Sequence, residues 1–156
     1  MNKKNIVLPI IIIVVILTII LSLSLNKSNV NLEEVEKTLL KEGSELNLRK
    51  LDREDISKYF GISIIDNDDN VLFITDFNES DKPFSPNILI VIINDSNYQE
   101  YSSVLKNYLD TEINNSTDYE RIKLYQDTII KQTRNYFYLF IGKDDNIKKI
   151  ITNYFK

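Results

Sequence analysis

The stretch "NILIVIIN", residues 87–94, sets six apolar side chains in a row between two asparagines. A run this short, β-branched at all positions but Leu89, reads as a strand rather than a helix, which needs about 10–12 residues. Successive strand side chains point to opposite faces, so a strand without polar positions must be covered on both. One other stretch has the same texture: "YFYLFIG", apolar throughout residues 136–141. The runs that precede each, "VLFITDF" from Val71 and "TIIKQT" from Thr128, are more mixed and suit less central places. The simplest sheet pairs the two continuous runs in its middle. That predicts four antiparallel strands in the order 1-2-4-3.

Each continuous run leads into a helical pattern. Tyr98, Tyr101, Leu105, Tyr108 and Leu109 form one apolar stripe, with Asp95 or Ser96 placed to start it. Ile147, Ile150, Ile151, Tyr154 and Phe155 form another at the end of the chain. "NILIVIIN" with "YSSVLKNYL" thus resembles "NYFYLFIG" with "IKKIITNYF", a weak internal repeat of architecture. The expected fold class is α+β, with the pattern ββα-ββα and helices packed on the sheet. Between the halves, "NESDKPFSP" reads as a loop, a short helix begins near Asp118, and Arg134–Asn135 form the last hairpin turn.

Two helices precede the first strand. In "NLEEVEKTLLKEG", Asn31 is a candidate N-cap, Glu34 sits at the capping-box position and Gly43 is a candidate stop. Leu32, Val35, Leu39 and Leu40 share one face. A shorter helix fits from Asp52 to Phe60, closed by Gly61. If the two repeat helices cover one sheet face, the other falls to these helices or to a partner molecule. An uncovered sheet face would be an interaction surface.

Upstream of this domain lies "IVLPIIIIVVILTIILSLSL", from Ile6 to Leu25, with no charge. About 20 apolar residues at about 1.5 Å each match the hydrocarbon core of a bilayer. Lys3 and Lys4 precede the run, and only Lys27 follows before Glu33 and Glu34, so the N-terminus is expected in the cytoplasm. The run exceeds the roughly 7–15 apolar residues of a cleavable signal peptide, and "SLSLNKS" lacks the small residues of a cleavage site. It reads as an uncleaved single-pass transmembrane signal anchor. The organisation is then a cytoplasmic tip (1–5), the anchor (6–25), a short linker (26–30) and an extracytoplasmic domain (31–156).

Composition narrows the chemistry. The chain has neither cysteine nor histidine, which removes disulfides, thiol nucleophiles, Cys/His zinc sites and imidazole catalysis. Residues 1–28 carry three lysines and no acid, which leaves 16 basic and 23 acidic residues, a formal charge of −7. That balance is opposite to the footprint of nucleic-acid binding. Lipid attachment through an N-terminal cysteine is likewise impossible.

"DNDDN", residues 66–70, comes nearest to a metal motif. Asp66, Asp68 and Asn70 have the alternate spacing of a calcium loop, but Val71 stands where glycine should be and Phe77 where the closing glutamate should be. The segment reads as a turn, so these three are weak metal candidates only, and no cofactor is expected. Ser102 and Ser103 lack a glycine-rich elbow, and no phosphate-binding glycine loop exists. Tyr98, Tyr101, Tyr108 and Tyr154 could form a sugar platform, yet their spacing suits core filling.

With these elements placed, the outer domain resembles a bacterial family of unknown function found in membrane-anchored or lipoprotein-type extracytoplasmic proteins of clostridia and their relatives. The likeness runs over about residues 48–156 and rests on "KYFGI", "ILIVII" then helix, Tyr119, "RNYFYLFIG" and the terminal helix. Asn87 and Asn135 stand where relatives often carry an acid and a glycine. The resemblance implies a tethered α+β module of the cell envelope, near machinery that O-acylates surface polymers. The expected function is a non-catalytic protein-interaction module. The alternative is a ligand- or glycan-binding accessory to polymer modification, and an enzyme is third.

Overall fold

The structure, a computed structural model, describes residues 30–62, 70–77, 84, 86–94, 98–133 and 136–155. In chain order they form α1 (Leu32–Glu42), a 3-10 turn (Ser44–Leu46), β1 (Leu48–Lys50), α2 (Arg53–Phe60), β2 (Val71–Asp76) and β3 (Leu89–Ile93). There follow α3 (Gln99–Asn115), α4 (Tyr119–Gln126), β4 (Ile129–Gln132), β5 (Phe137–Ile141) and α5 (Asp145–Tyr154).

β3 and β5 lie side by side at the centre, buried at every position, in the sheet order β1-β2-β3-β5-β4, antiparallel throughout. Their register sorts the side chains cleanly. Leu89, Val91 and Ile93 stand opposite Ile141, Leu139 and Phe137 on one face, while Ile90 and Ile92 meet Phe140 and Tyr138 on the other. Each such side chain removed from water is worth about 1.5–3 kcal/mol, so the middle of the sheet carries most of the cohesion.

Three expectations are corrected. The sheet has five strands, not four: Leu48–Lys50 pairs with Asp76–Ile74 outside β2. This strand is held by its partner more than by its own propensity. Phe77 N–H donates to the Asn47 carbonyl at 3.2 Å, the Asn47 amide donates to the Phe77 carbonyl at 2.7 Å, and Leu51 N–H donates to the Phe73 carbonyl at 2.9 Å. Asn47 enters it with φ 51, a left-handed conformation that asparagine tolerates.

The second correction concerns the faces. The helices after β3 and β5 do not share one. Leu105 and Leu109 of α3 pack with α2 and α4 on the Val91 face, whereas Ile147 and Ile151 of α5 pack with α1 on the Ile90 face. Five strands about 4.8 Å apart make a sheet roughly 20 Å wide, room for two helices of about 10 Å abreast. α1 takes one such place and α5 the other, so both faces are covered by the chain itself. No bare sheet face is left for a partner among the described residues. The strand-strand-helix likeness is therefore not a two-fold repeat, since a two-fold between antiparallel neighbours would keep both helices on one face.

Third, the expected transmembrane helix is not among the helices of the structure. Among the described residues no helix is long and apolar enough to cross a membrane, and residues 6–25 lie outside them.

The helix boundaries have local causes. Asn31 accepts from Glu33 N–H at 3.1 Å and Glu34 N–H at 3.3 Å, Asp52 from Asp55 N–H at 2.8 Å, and Asp118 from Glu120 N–H at 2.9 Å. Glu34 does not close a capping box; its carboxylate accepts from the Tyr154 hydroxyl at 3.3 Å and so ties α1 to α5. Gly61 ends α2 at φ 67. Gly43 ends α1 for a different reason: a Cβ there would overlap Leu48 and lie 2.8 Å from the Leu39 carbonyl.

Candidate functional site

A concavity opens where α1 and α2 begin. β1 ends at Lys50, and Leu51 and Asp52 lead straight into α2, so the α2 start lies beside the sheet edge. α1 crosses the opposite face and brings its own start, Asn31 and Leu32, to the same end. Asn70 and Val71 at the entry of β2, and Asn94 just beyond β3, close the far wall. The groove has a volume of about 1130 Å³. Its apolar lining is Val30, Leu32, Leu51, Ile56, Val71 and Leu72.

Charge around the groove is mainly negative. Glu33, Glu36, Asp52 and Glu54 line it, against Lys50 and Arg53. Lys50 is matched by Glu36 at 2.7 Å. Glu33 holds Lys37 at 2.6 Å, and this hydrogen bond and charge keep the Glu33 carboxyl below its usual range. A pair of helix starts would ordinarily invite an anion. Here the Asn31 side chain accepts from two of these N–H groups and that of Asp52 from one, and the surrounding carboxylates repel negative charge. The groove therefore suits an apolar segment bearing a positive group.

Of the residues singled out in the sequence, Asp66 and Asp68 lie outside the described residues. Asn70 is exposed at the groove wall, and its backbone carbonyl accepts from Asn94 N–H at 2.7 Å, which extends the β2–β3 ladder. Among the described residues no group of three acids converges as a metal site would require. Ser102 is buried and its hydroxyl donates to the Gln99 carbonyl of its own helix at 3.0 Å, a structural role.

The four tyrosines do not form one exposed platform: Tyr98, Tyr101 and Tyr108 pack half-buried against the core of one sheet face and Tyr154 against that of the other. Tyr98 stacks on Phe137 at 6.0 Å, and Tyr108 meets Phe60 edge-on at 5.1 Å, both on the Val91 face. Tyr154 sits on the other face, its hydroxyl 3.2 Å from that of Thr38. Burial pushes the Tyr108 hydroxyl well above its usual range, so it stays protonated. A second hollow of about 420 Å³ lies at the opposite end, between the starts of α4 and α5. It is spanned by Lys143 and Glu120 at 2.9 Å, and Asp118 and Asp144 cap the adjoining helices.

The groove residues carried no signal in the linear order. Glu36, Lys50 and Glu54 are ordinary surface charges until the β1–β2 ladder folds the edge strand beside α1. No family model, curated protein or solved structure matches the chain.

Proposed function

We propose that the protein is a membrane-tethered, non-catalytic interaction module of the cell envelope, and that it binds a protein partner in the groove between the starts of α1 and α2. One observation carries this reading: the acid-rimmed, apolar-lined groove includes Val30, a few residues after the apolar run of 6–25. An anchor there would hold the groove toward the bilayer, within reach of other membrane-bound proteins. The fitting partner presents a short apolar stretch with a lysine or arginine beside it, because the four lining acids outnumber the two bases. A partner's positive group would then be paired as its surroundings are desolvated.

A photo-crosslinking amino acid at Glu54 of the full chain, expressed in cells, tests the reading. The expected result is one dominant protein adduct, absent when the same group replaces Lys149 on α5. A chain that gives no discrete adduct at Glu54, or the same adducts at both positions, overturns it.

A further inference from the structure

The two edges of the sheet are built differently. β1 is three residues long and its charges are engaged: Lys50 pairs with Glu36, and the Arg49 guanidinium lies 3.6 Å above the Phe77 ring. Shortness and charge are usual defences against the addition of a foreign strand. β4 is less defended. Its four residues contain no proline and pair with β5 without a bulge. Its one charge, Lys131, turns beneath the sheet to donate to the Phe155 carbonyl. Ile130, at 37 % exposure, is one of two large apolar side chains left exposed among the described residues.

The phase of the ladder shows which backbone groups are open. Thr133 N–H donates to the Tyr136 carbonyl at 2.9 Å. By antiparallel alternation Lys131 and Ile129 also bond inward to β5, so Gln132, Ile130 and Thr128 present their groups to the open side. Thr128 N–H is already taken by the Tyr125 carbonyl at 3.3 Å, which leaves its own carbonyl as an acceptor.

We propose that β4 pairs antiparallel with β4 of a second copy, about a two-fold axis through Ile130. In this register the two Ile130 residues exchange both backbone hydrogen bonds. Each Gln132 N–H reaches the Thr128 carbonyl across the axis, where no competing donor is needed. The two Ile130 side chains meet on the exposed side and shield one another. A register shifted to Lys131 would set two lysines opposite each other, which is unfavourable. A single short strand pair buries far less than the roughly 1,200 Å² of a standard interface. The pairing is accordingly weak in dilute solution and gains from confinement of copies in one membrane, a point that rests on the tethered reading above.

The natural absence of cysteine makes the test direct. Ile130→Cys is introduced into the full chain, and isolated membranes are treated with a mild oxidant. Opposed residues of a hydrogen-bonded pair lie about 5.5 Å apart between Cα atoms, within the disulfide range of roughly 4.4–6.8 Å. The expected result is a disulfide-linked dimer for most of the protein. Gln132→Cys, whose copies would lie more than about 13 Å apart at about 3.4 Å per residue, and Lys149→Cys should give at most a trace. No dimer at 130, or equal dimer at 132 or 149, overturns the proposal. Fractionation of the untreated chain reads tethering separately. A soluble chain that still crosslinks at 130 refutes the tether and keeps the pairing, while a membrane-bound chain that does not crosslink refutes the pairing alone.

Discussion

The hydroxyl of Tyr136, at the entry to β5, donates to the carbonyl of Phe155, at the end of α5, at 3.1 Å. Lys131 on the neighbouring strand donates to the same carbonyl, and the Tyr136 and Phe155 rings lie 4.9 Å apart. The end of the last helix is thus fastened to the last hairpin by two donors on one acceptor. Because either donor alone satisfies the carbonyl, Tyr136→Phe should cost only about 0.5–1.5 kcal/mol. Lys131→Met alone should cost no more. The double variant should exceed the sum of the two, and urea denaturation of all four proteins measures that coupling.

Ile90 is fully buried between β2 and β5 and packs toward α1 and α5. Ile90→Ala should cost about 2–5 kcal/mol through lost burial and the cavity left behind. Ile130→Ala on the open edge should change stability by less than about 0.5 kcal/mol. Chemical denaturation of the pair separates core from edge.

Gly142 links β5 to α5 with φ 152, a region closed to other residues, and a Cβ there would lie 2.8 Å from Cζ of Phe140. Gly142→Ala should therefore cost about 1–3 kcal/mol. Gly61, at φ 67 with open space around it, should accept asparagine for less than about 1 kcal/mol. The melting temperatures of the two variants give the comparison.

Burial raises the Glu112 carboxyl above its ordinary 4.5, against the opposing pull of Arg121. A raised acid favours the folded chain while protonated and loses that favour as pH rises through its folded value. Glu112→Gln should therefore melt slightly higher than the parent at pH 7. The difference should close as pH falls below 4.5, where both side chains are neutral. A gap that persists at low pH would show that packing, not charge, is responsible.

Glu33 and Glu54 line the groove from α1 and α2. Both are exposed, but each sits in the first turn of its helix and Glu33 holds Lys37, so reversing them to lysine should lower the melting temperature slightly and leave the chain folded. Partner capture at the groove should fall about tenfold, which corresponds to about 1.4 kcal/mol. Yield of the Glu33→Lys/Glu54→Lys chain reads this directly when the photo-crosslinking group is placed at the neighbouring groove residue Arg53 in both this chain and its parent.

What the residue order determines alone is local or compositional. The all-apolar runs at 88–93 and 136–141 demand cover on both faces, and that puts β3 and β5 in the middle of the sheet. Asn31, Asp52 and Asp118 start helices because a side-chain oxygen there reaches N–H groups two or three residues on. Tertiary structure alone decided three other things. β1 exists because Phe73 and Phe77 bond to it across the ladder, not because "LRK" favours a strand. α3 and α5 part to opposite faces because α1 takes only half of one face and leaves the other half to be filled. The groove arises from the same placement, which brings Glu36 to Lys50 across a turn and an edge strand. Periodicity reports which side of an element is apolar. It does not report which neighbour that side will meet, because burial rewards any apolar contact and the geometry of the whole sheet selects among them.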